Sequence, residues 1–230
     1  MKVDVIILSL STDEKIRNMT QNAINTLHSS ESKHKFNVLL LESMKGRKVE
    51  YSGCTIIYPE FEFNYNKYMN FGLSKCKSKY VALCNNDLIF HKNWFSEIYK
   101  HKDIADSFSP WNNSGNCWHP EYKKTYEEEF LPGYEIGFHI SGWCIVAKRK
   151  IFDTIKLDER VSFWYSDRVY SDALKRENIP HILVMNSYVD HLESVTLDQM
   201  PQCIKSALTG QQGEIYHNKI SKENTAPVLL

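Results

Sequence analysis

The 230 residues are 42% hydrophobic and 24% charged, enough for one large domain with an ordinary core and unlike the composition of a disordered chain. Lys plus Arg and Asp plus Glu are both 28, and a net charge of zero argues against a protein that wraps nucleic acid through its phosphates. The longest apolar runs, Val5–Leu8 and Val38–Leu41, fall far short of the roughly 20 residues that cross a bilayer. Met1–Leu8 also lacks the apolar core of a secretory signal, so the expectation is a soluble cytoplasmic protein without a transmembrane segment. The six cysteines (Cys54, Cys76, Cys84, Cys117, Cys144, Cys203) form no CxxC pair and read as free core thiols.

Val3–Leu8 is a short apolar run of the kind that makes a buried parallel strand. Ser11, with Glu14 three residues later, reads as a capping box opening a helix whose inner face is Ile16, Met19, Ala23, Ile24 and Leu27. Phe36–Leu41 is a second strand, ending in Glu42, and Cys54–Tyr58 a third. Asn64 opens a second helix with an apolar stripe of Tyr65, Tyr68, Met69, Gly72, Leu73 and Cys76. Tyr80–Cys84 is a fourth strand running straight into Asn85-Asn86-Asp87. Strands and helices alternating at this pace predict a parallel sheet with right-handed crossovers and helices on both faces. Such sheets bind ligands at the carboxyl ends of their strands, where Ser9–Ser11, Glu42 and Asn85–Asp87 all fall.

The second half is less regular. Trp111–Gly133 reads as a loop or flap, Trp143–Ala147 as a strand, Arg149–Ile155 as a short helix and Phe163–Arg176 as a helix carrying Asp167 and Asp172. His181–Met185 and Tyr188–Val189 read as short strands before His191. One helical stretch follows Leu197, and Ser221–Pro227 reads as frayed. Asp87 is the one charged residue in the loop after the fourth strand. It can hold a divalent cation if phosphate oxygens and waters complete the shell, or it can cap the next segment beside turn-forming Asn85 and Asn86.

Taken in order, these segments resemble a family 2-type glycosyltransferase of the GT-A fold. Asn66, Asn70 and Gly72 look like that family's Asn-x-Gly helix before its Asp-x-Asp strand end. Ile140–Leu174 looks like its acceptor segment, and Val189–Thr196 like its His-containing segment. Asn85-Asn86-Asp87 stands in place of the double Asp, and Ser166-Asp167 in place of the usual Glu-Asp pair. The resemblance implies a Rossmann-like α/β/α three-layer sandwich with a mostly parallel sheet. Residues 1–196 would be the catalytic domain (1–105 donor-binding, 106–196 acceptor-binding and catalytic), followed by a helix and tail at 197–230.

It also implies roles. Ser9, Ser11 and Glu42 would face the donor's nucleoside. Asn66 and Asn70, four residues apart and so on one helix face, would meet sugar hydroxyls or diphosphate, or else make buried contacts to a neighbouring loop. Asn85 and Asn86 would complete the donor site. Asp87 and His191 would hold Mn²⁺ or Mg²⁺ on the two phosphates, Gly142 and Trp143 would floor the acceptor site, and Trp111, Trp118 and His119 are weaker acceptor candidates. Asp167 would be the general base of an inverting displacement. The donor would be a nucleoside-diphosphate sugar. The acceptor would be a glycan, with a hydroxylated DNA base as the alternative. Two competing readings are a GT-A domain that binds carbohydrate or nucleotide without turnover, and a nucleotidyltransferase. The latter wants a Gly-rich basic loop after the first strand, and Leu8–Lys15 contains neither Gly nor Arg.

Overall fold

The computed structural model describes residues 1–46, 48–112, 128–192 and 202–220. The first half alternates as the sequence predicts: β1 (Lys2–Ser9), α1 (Glu14–Ser29), β2 (Lys35–Glu42), β3 (Thr55–Ile57), α2 (Tyr65–Lys75) and β4 (Tyr80–Cys84). Then come β5 (Leu88–Phe90), α3 (Trp94–Lys100), β6 (Ser107–Trp111), β7 (Phe130–Pro132), β8 (Cys144–Lys148), a 3₁₀ turn (Arg149–Asp153), α4 (Ser166–Arg176), β9 (His181–His191), α5 (Gln202–Ile215) and a π-turn (Tyr216–Ile220).

Among the described residues the strands form one sheet in the order β3-β2-β1-β4-β8-β6-β9-β5, with β7 on β9. β1 sits between β2 and β4, both parallel to it, and Ile7 is paired with Leu40 on one side and Cys84 on the other. Flanked on both sides and covered on both faces, Val3–Ser9 and all of β4 are buried, and of the polar residues in β1 Asp4 is satisfied by Lys77 N and Ser78 N. Successive side chains alternate between faces. Val5 and Ile7 pack with Ile24 and Leu27 of α1 and Trp94 and Phe95 of α3, whereas Ile6 and Leu8 pack with Tyr68 and Met69 of α2 and Tyr170 and Leu174 of α4. The result is a three-layer α/β/α sandwich. Gly72 lets α2 lie close on β1, because a Cβ there would come within 2.9 Å of Ile6 Cγ2 and Cδ1.

The second half departs from parallel order. β8 runs antiparallel between β4 and β6, pairing Cys144 with Cys84 and Lys148 with Tyr80. The two short strands expected before His191 are one strand, β9. Its register on β6 jumps from Pro110↔Val184 to Trp111↔Tyr188, and beyond the jump it pairs with β5. The expected helix at Arg149–Ile155 is the 3₁₀ turn, and α4 starts at Ser166 because Tyr165 has left-handed backbone (φ 67°). The capping box at Ser11 is not formed: Asp13 caps α1 by accepting from Ile16 N at 2.9 Å. Of the expected flap, Trp111 closes β6 and Phe130–Pro132 form β7. Cys117, Trp118 and His119, the last four residues of the His segment, and the expected frayed tail lie outside the described residues. The five described cysteines are free thiols, three of them buried.

Candidate active site

Three strand ends meet at the sheet's carboxyl edge. Glu42, at the end of β2, is 1% exposed, and its acceptors are engaged from within the protein. Oε1 accepts Ser11 N at 3.1 Å and Met44 N at 2.8 Å, and Oε2 accepts Ser11 Oγ at 2.6 Å. Ser11 Oγ also touches Tyr51 Oη, and Ser9 Oγ lies 3.1 Å from it. This buried knot holds the loop after β1 against the loop after β2 and explains why Ser11 cannot cap α1. Ser9, Ser11 and Glu42 were expected to face the nucleoside; their side chains instead brace the loops that line that edge.

The loop after β4 builds the next corner. Asn85 N donates to Trp143 O at 2.9 Å, pinning it to the chain entering β8. Asn86 turns inward and donates from Nδ2 to Thr20 Oγ1 of α1 at 2.9 Å. Asp87 is beside the end of β9, because the β5–β9 register sets Leu88 opposite His191 and Leu192 N donates to Asp87 O at 2.9 Å. Asp87 Oδ2 is thereby brought to 3.2 Å from His191 Nε2, and Asp87 Oδ1 is buried without a hydrogen-bond partner. Trp143 stacks on the His191 ring, with centroids 5.7 Å apart and planes 12° from parallel.

Gly142 leads to the third corner. A Cβ at Gly142 would stand 3.4 Å from Asp167 Cβ and 3.8 Å from its Oδ2, so this bare backbone flanks the carboxyl group. Tyr65 Oη donates to Gly142 O at 3.1 Å. Asp167 Oδ1 accepts Arg168 N at 2.8 Å. Burial raises the Asp167 carboxyl above the ordinary carboxylate range, against the opposing pull of the Arg168 N–H and guanidinium. Burial and the nearby Cys84, Asp167 and Cys144 push the Tyr65 phenol far up, so Tyr65 is a fixed donor. Asp167 is aimed by the strained residue before its helix: Tyr165, in the left-handed region, is held by stacking on Tyr216 at 5.2 Å and 18°. Tyr216 is in turn anchored on Asp172 Oδ2 at 2.6 Å.

Three asparagines on α2 clamp the segment that feeds α4. Asn64 Nδ2 donates to Glu159 O at 2.8 Å, Asn66 Nδ2 to Asp158 O at 2.7 Å, and Asn70 Nδ2 to Leu157 O at 2.8 Å. Leu157 N returns a bond to Asn70 Oδ1 at 3.2 Å. The expected contact of Asn66 and Asn70 with the donor is not their arrangement here. Asn66 is fully buried, and both amides are committed to the 157–159 loop.

A scan against protein-family models finds no match, and neither does a search of curated proteins. Solved structures do match. TarS 1–349 of S. aureus superposes with a TM-score of 0.62 at 11% identity, covering 100% of this chain and 76% of that one. The same fragment in complex with UDP-GlcNAc gives 0.64 at 11% identity over 95% of this chain and 73% of that one. GalNAc-T7 with UDP, GalNAc and Mn²⁺ gives 0.64 at 11% identity, with 83% of this chain and 43% of that one covered. The fold is GT-A-like.

A GT-A fold raises the question of a divalent metal. The donor set at the Asp87 corner suits one: a hard carboxylate with an orphaned buried oxygen fits Mn²⁺ or Mg²⁺, and the imidazole nitrogen it faces is a further ligand that Mn²⁺ accepts more readily than Mg²⁺. Among the described residues no cluster of three or more His, Cys, Asp or Glu side chains is present, so the protein offers two ligands and leaves the remainder to phosphate oxygens and water. Sequence reasoning missed Tyr65 and Tyr51. Tyr65 was absorbed into an apolar stripe, and its place one residue after the Asn64 cap was the available signal; nothing local marks Tyr51.

Proposed function

We propose that this protein is an inverting, family 2-type glycosyltransferase that moves a sugar from a nucleoside-diphosphate donor to an acceptor hydroxyl. One observation carries the reading: Asp87 and His191, Trp143, and Gly142 with Asp167 follow one another along a single rim of the sheet through direct contacts. The complexes of TarS with UDP-GlcNAc and of GalNAc-T7 with UDP, GalNAc and Mn²⁺ support a nucleotide-sugar donor on this fold.

In this reading Asp87 and His191 would hold a divalent cation, which when bound neutralises charge on the departing diphosphate. The braced loops after β1 and β2 receive the nucleoside, and Asn85 lies beside the diphosphate. Trp143 offers an aromatic face to the acceptor ring. Asp167 takes the proton from the acceptor hydroxyl as its oxygen bonds to the anomeric carbon and the bond to the diphosphate breaks on the opposite face. Its partly desolvated carboxyl is a stronger base than one in water, which fits that task. The acceptor is a glycan hydroxyl, and no described helix is long and apolar enough to cross a membrane.

The test is nucleoside-diphosphate release from UDP-, GDP- and dTDP-sugars with Mn²⁺, over a panel of glycan acceptors and hydroxymethylated DNA. Product of inverted anomeric configuration supports the reading. A folded protein that binds nucleoside diphosphate yet never turns over would sink it and favour a binding domain, for which the two-ligand metal corner speaks.

A further inference from the structure

A second concave site lies at the opposite edge of the sheet, where β4 begins and β8 ends. It is a cavity of about 390 Å³, within the range of small-ligand pockets. From Tyr80 to Cys84 is roughly 13 Å at the usual rise of a strand, so this cavity is separate from the rim that carries Asp87. Its walls hold Lys77, Lys79, Lys102, Lys148, Arg149 and Lys150.

Their counter-charges fall short. Lys148 and Lys150 share Asp106, at 2.5 and 2.9 Å. Lys102 has Asp103 at 3.0 Å, and Arg149 forms a forked pair with Asp153 at 3.1 Å. Asp4 beneath the floor is occupied by Lys77 N and Ser78 N, at 2.6 and 2.7 Å. Six cations thus face four carboxylates, and Lys77 and Lys79 have no ion-pair partner among the described residues. Lys2 and Lys35, in register at the starts of β1 and β2, extend the positive edge.

A second observation points to a ligand. Tyr80 forms part of the wall, is fully buried, and its hydroxyl has no hydrogen-bond partner. Its ring is fixed against Phe95 and Tyr99, with centroids 5.7 and 5.9 Å away. An orphaned buried hydroxyl is costly unless something accepts from it. Burial pushes its pKa up to about 12, so it stays a donor.

We propose that this cavity binds a small phosphorylated anion, with Lys77, Lys79 and Lys102 supplying charge and Tyr80 a hydrogen bond from the floor. Several cations around one concave, partly desolvated space favour a multiply charged phosphate over chloride or a single carboxylate.

The test is calorimetric titration of the full chain with sodium pyrophosphate and tripolyphosphate, without divalent metal, at low and moderate salt. Saturable binding that weakens as salt rises is expected, with at least a tenfold loss of affinity in Lys79→Glu/Lys102→Glu and about a fivefold loss in Tyr80→Phe. The lysine variants should keep Mn²⁺-dependent binding of nucleoside diphosphate within twofold of wild type, so failure here is distinguishable from failure of the transferase reading. Lys79→Gln/Lys102→Gln, checked for native circular dichroism, replaces the reversal if that variant does not fold. Unchanged affinity in the lysine variants overturns the site. So does flotation with anionic phosphatidylglycerol vesicles in the absence of any pyrophosphate binding, since the surface would then serve a membrane rather than a soluble phosphate.

Discussion

In the proposed reading, Asp167→Asn is the substitution that isolates the proton acceptor. The amide keeps the shape and the hydrogen bond from Arg168 N but cannot take a proton from an acceptor hydroxyl. General-base contributions of about 10²–10⁴ in rate correspond to roughly 3–5 kcal/mol of barrier. A fall of that size in kcat, with nucleotide-sugar affinity by calorimetry essentially unchanged, is expected. A companion effect runs the other way in stability. Burial raises the Asp167 carboxyl, so the folded state holds its proton more tightly than the unfolded chain. Stability from this group is present at low pH and is lost as pH rises through the raised value, so at neutral pH the ionised carboxylate is a burden on the fold. Removing that charge should raise Tm at pH 7, and the gain should vanish in acid. The acid limb of kcat against pH should likewise lie above that of an ordinary carboxylate. Unchanged turnover in Asp167→Asn, or a Tm at neutral pH lower than wild type, refutes the placement.

Asp87→Ala and His191→Ala should each weaken Mn²⁺-dependent binding of nucleoside diphosphate by tenfold or more while leaving metal-free binding alone; calorimetry showing equal binding with and without Mn²⁺ in the wild type removes the metal from this corner. Asn66→Ala removes the buried amide that donates to the carbonyl of half-buried Asp158, which should cost about 1 kcal/mol in urea unfolding. Turnover should fall with it, because the 157–159 segment leads to the base; a loss of stability with native kcat would separate the clamp from catalysis. His181 is buried between Ser107 Oγ at 2.8 Å and His139 O at 2.9 Å. Burial lowers its pKa from 6.5 to about 3, so the fold keeps it neutral while the unfolded chain protonates, and stability is lost as pH falls from about 6.5 toward 3. NMR of the imidazole should show the neutral ring at pH 5, and titration near 6.5 contradicts its burial.

The strands of the first half were legible because strands buried on both faces are rich in apolar residues, as Val3–Leu8, Phe36–Leu41 and Tyr80–Cys84 are, with Asp4 and the exposed Asn37 the polar exceptions. The Asn64 cap was legible for a local reason, a side chain accepting from Lys67 N three residues on at 2.9 Å. The helix start at Ser11 was misread because its rival partner, Glu42, lies 31 residues away and cannot be found from spacing. β5, α3 and β6 were missed since they are short; β5 and β6 are set by pairing with β8 and β9, and α3 by packing Trp94, Phe95 and Ile98 into the core. At the candidate site, Asp87, His191, Trp143 and Asp167 come from segments far apart in sequence and lie along one rim. For Asn66 and Asn70 the sequence left a ligand and a neighbouring loop open, because an amide facing either looks alike; the loop that takes them is some 90 residues further along.

The antiparallel strand β8 is what turns a nucleotide-type sheet edge into a two-sided site. In a purely parallel sheet only strand ends reach the carboxyl edge, and whatever follows them leaves through a loop. β8 runs the other way, so its start arrives there, delivering Gly142 and Trp143 beside the end of β4. In the proposed reading Trp143 would serve the diphosphate side through its carbonyl on Asn85 N and its ring on His191. Gly142 would serve the proton-transfer side, with its carbonyl held by Tyr65 and its bare Cα against Asp167. Two adjacent residues therefore join the corner that would receive the leaving group to the corner that would receive the proton. Both reach that position through the Cys84↔Cys144 register, a pair of fully buried residues at which a slip of one place would turn every side chain of β8 to the opposite face.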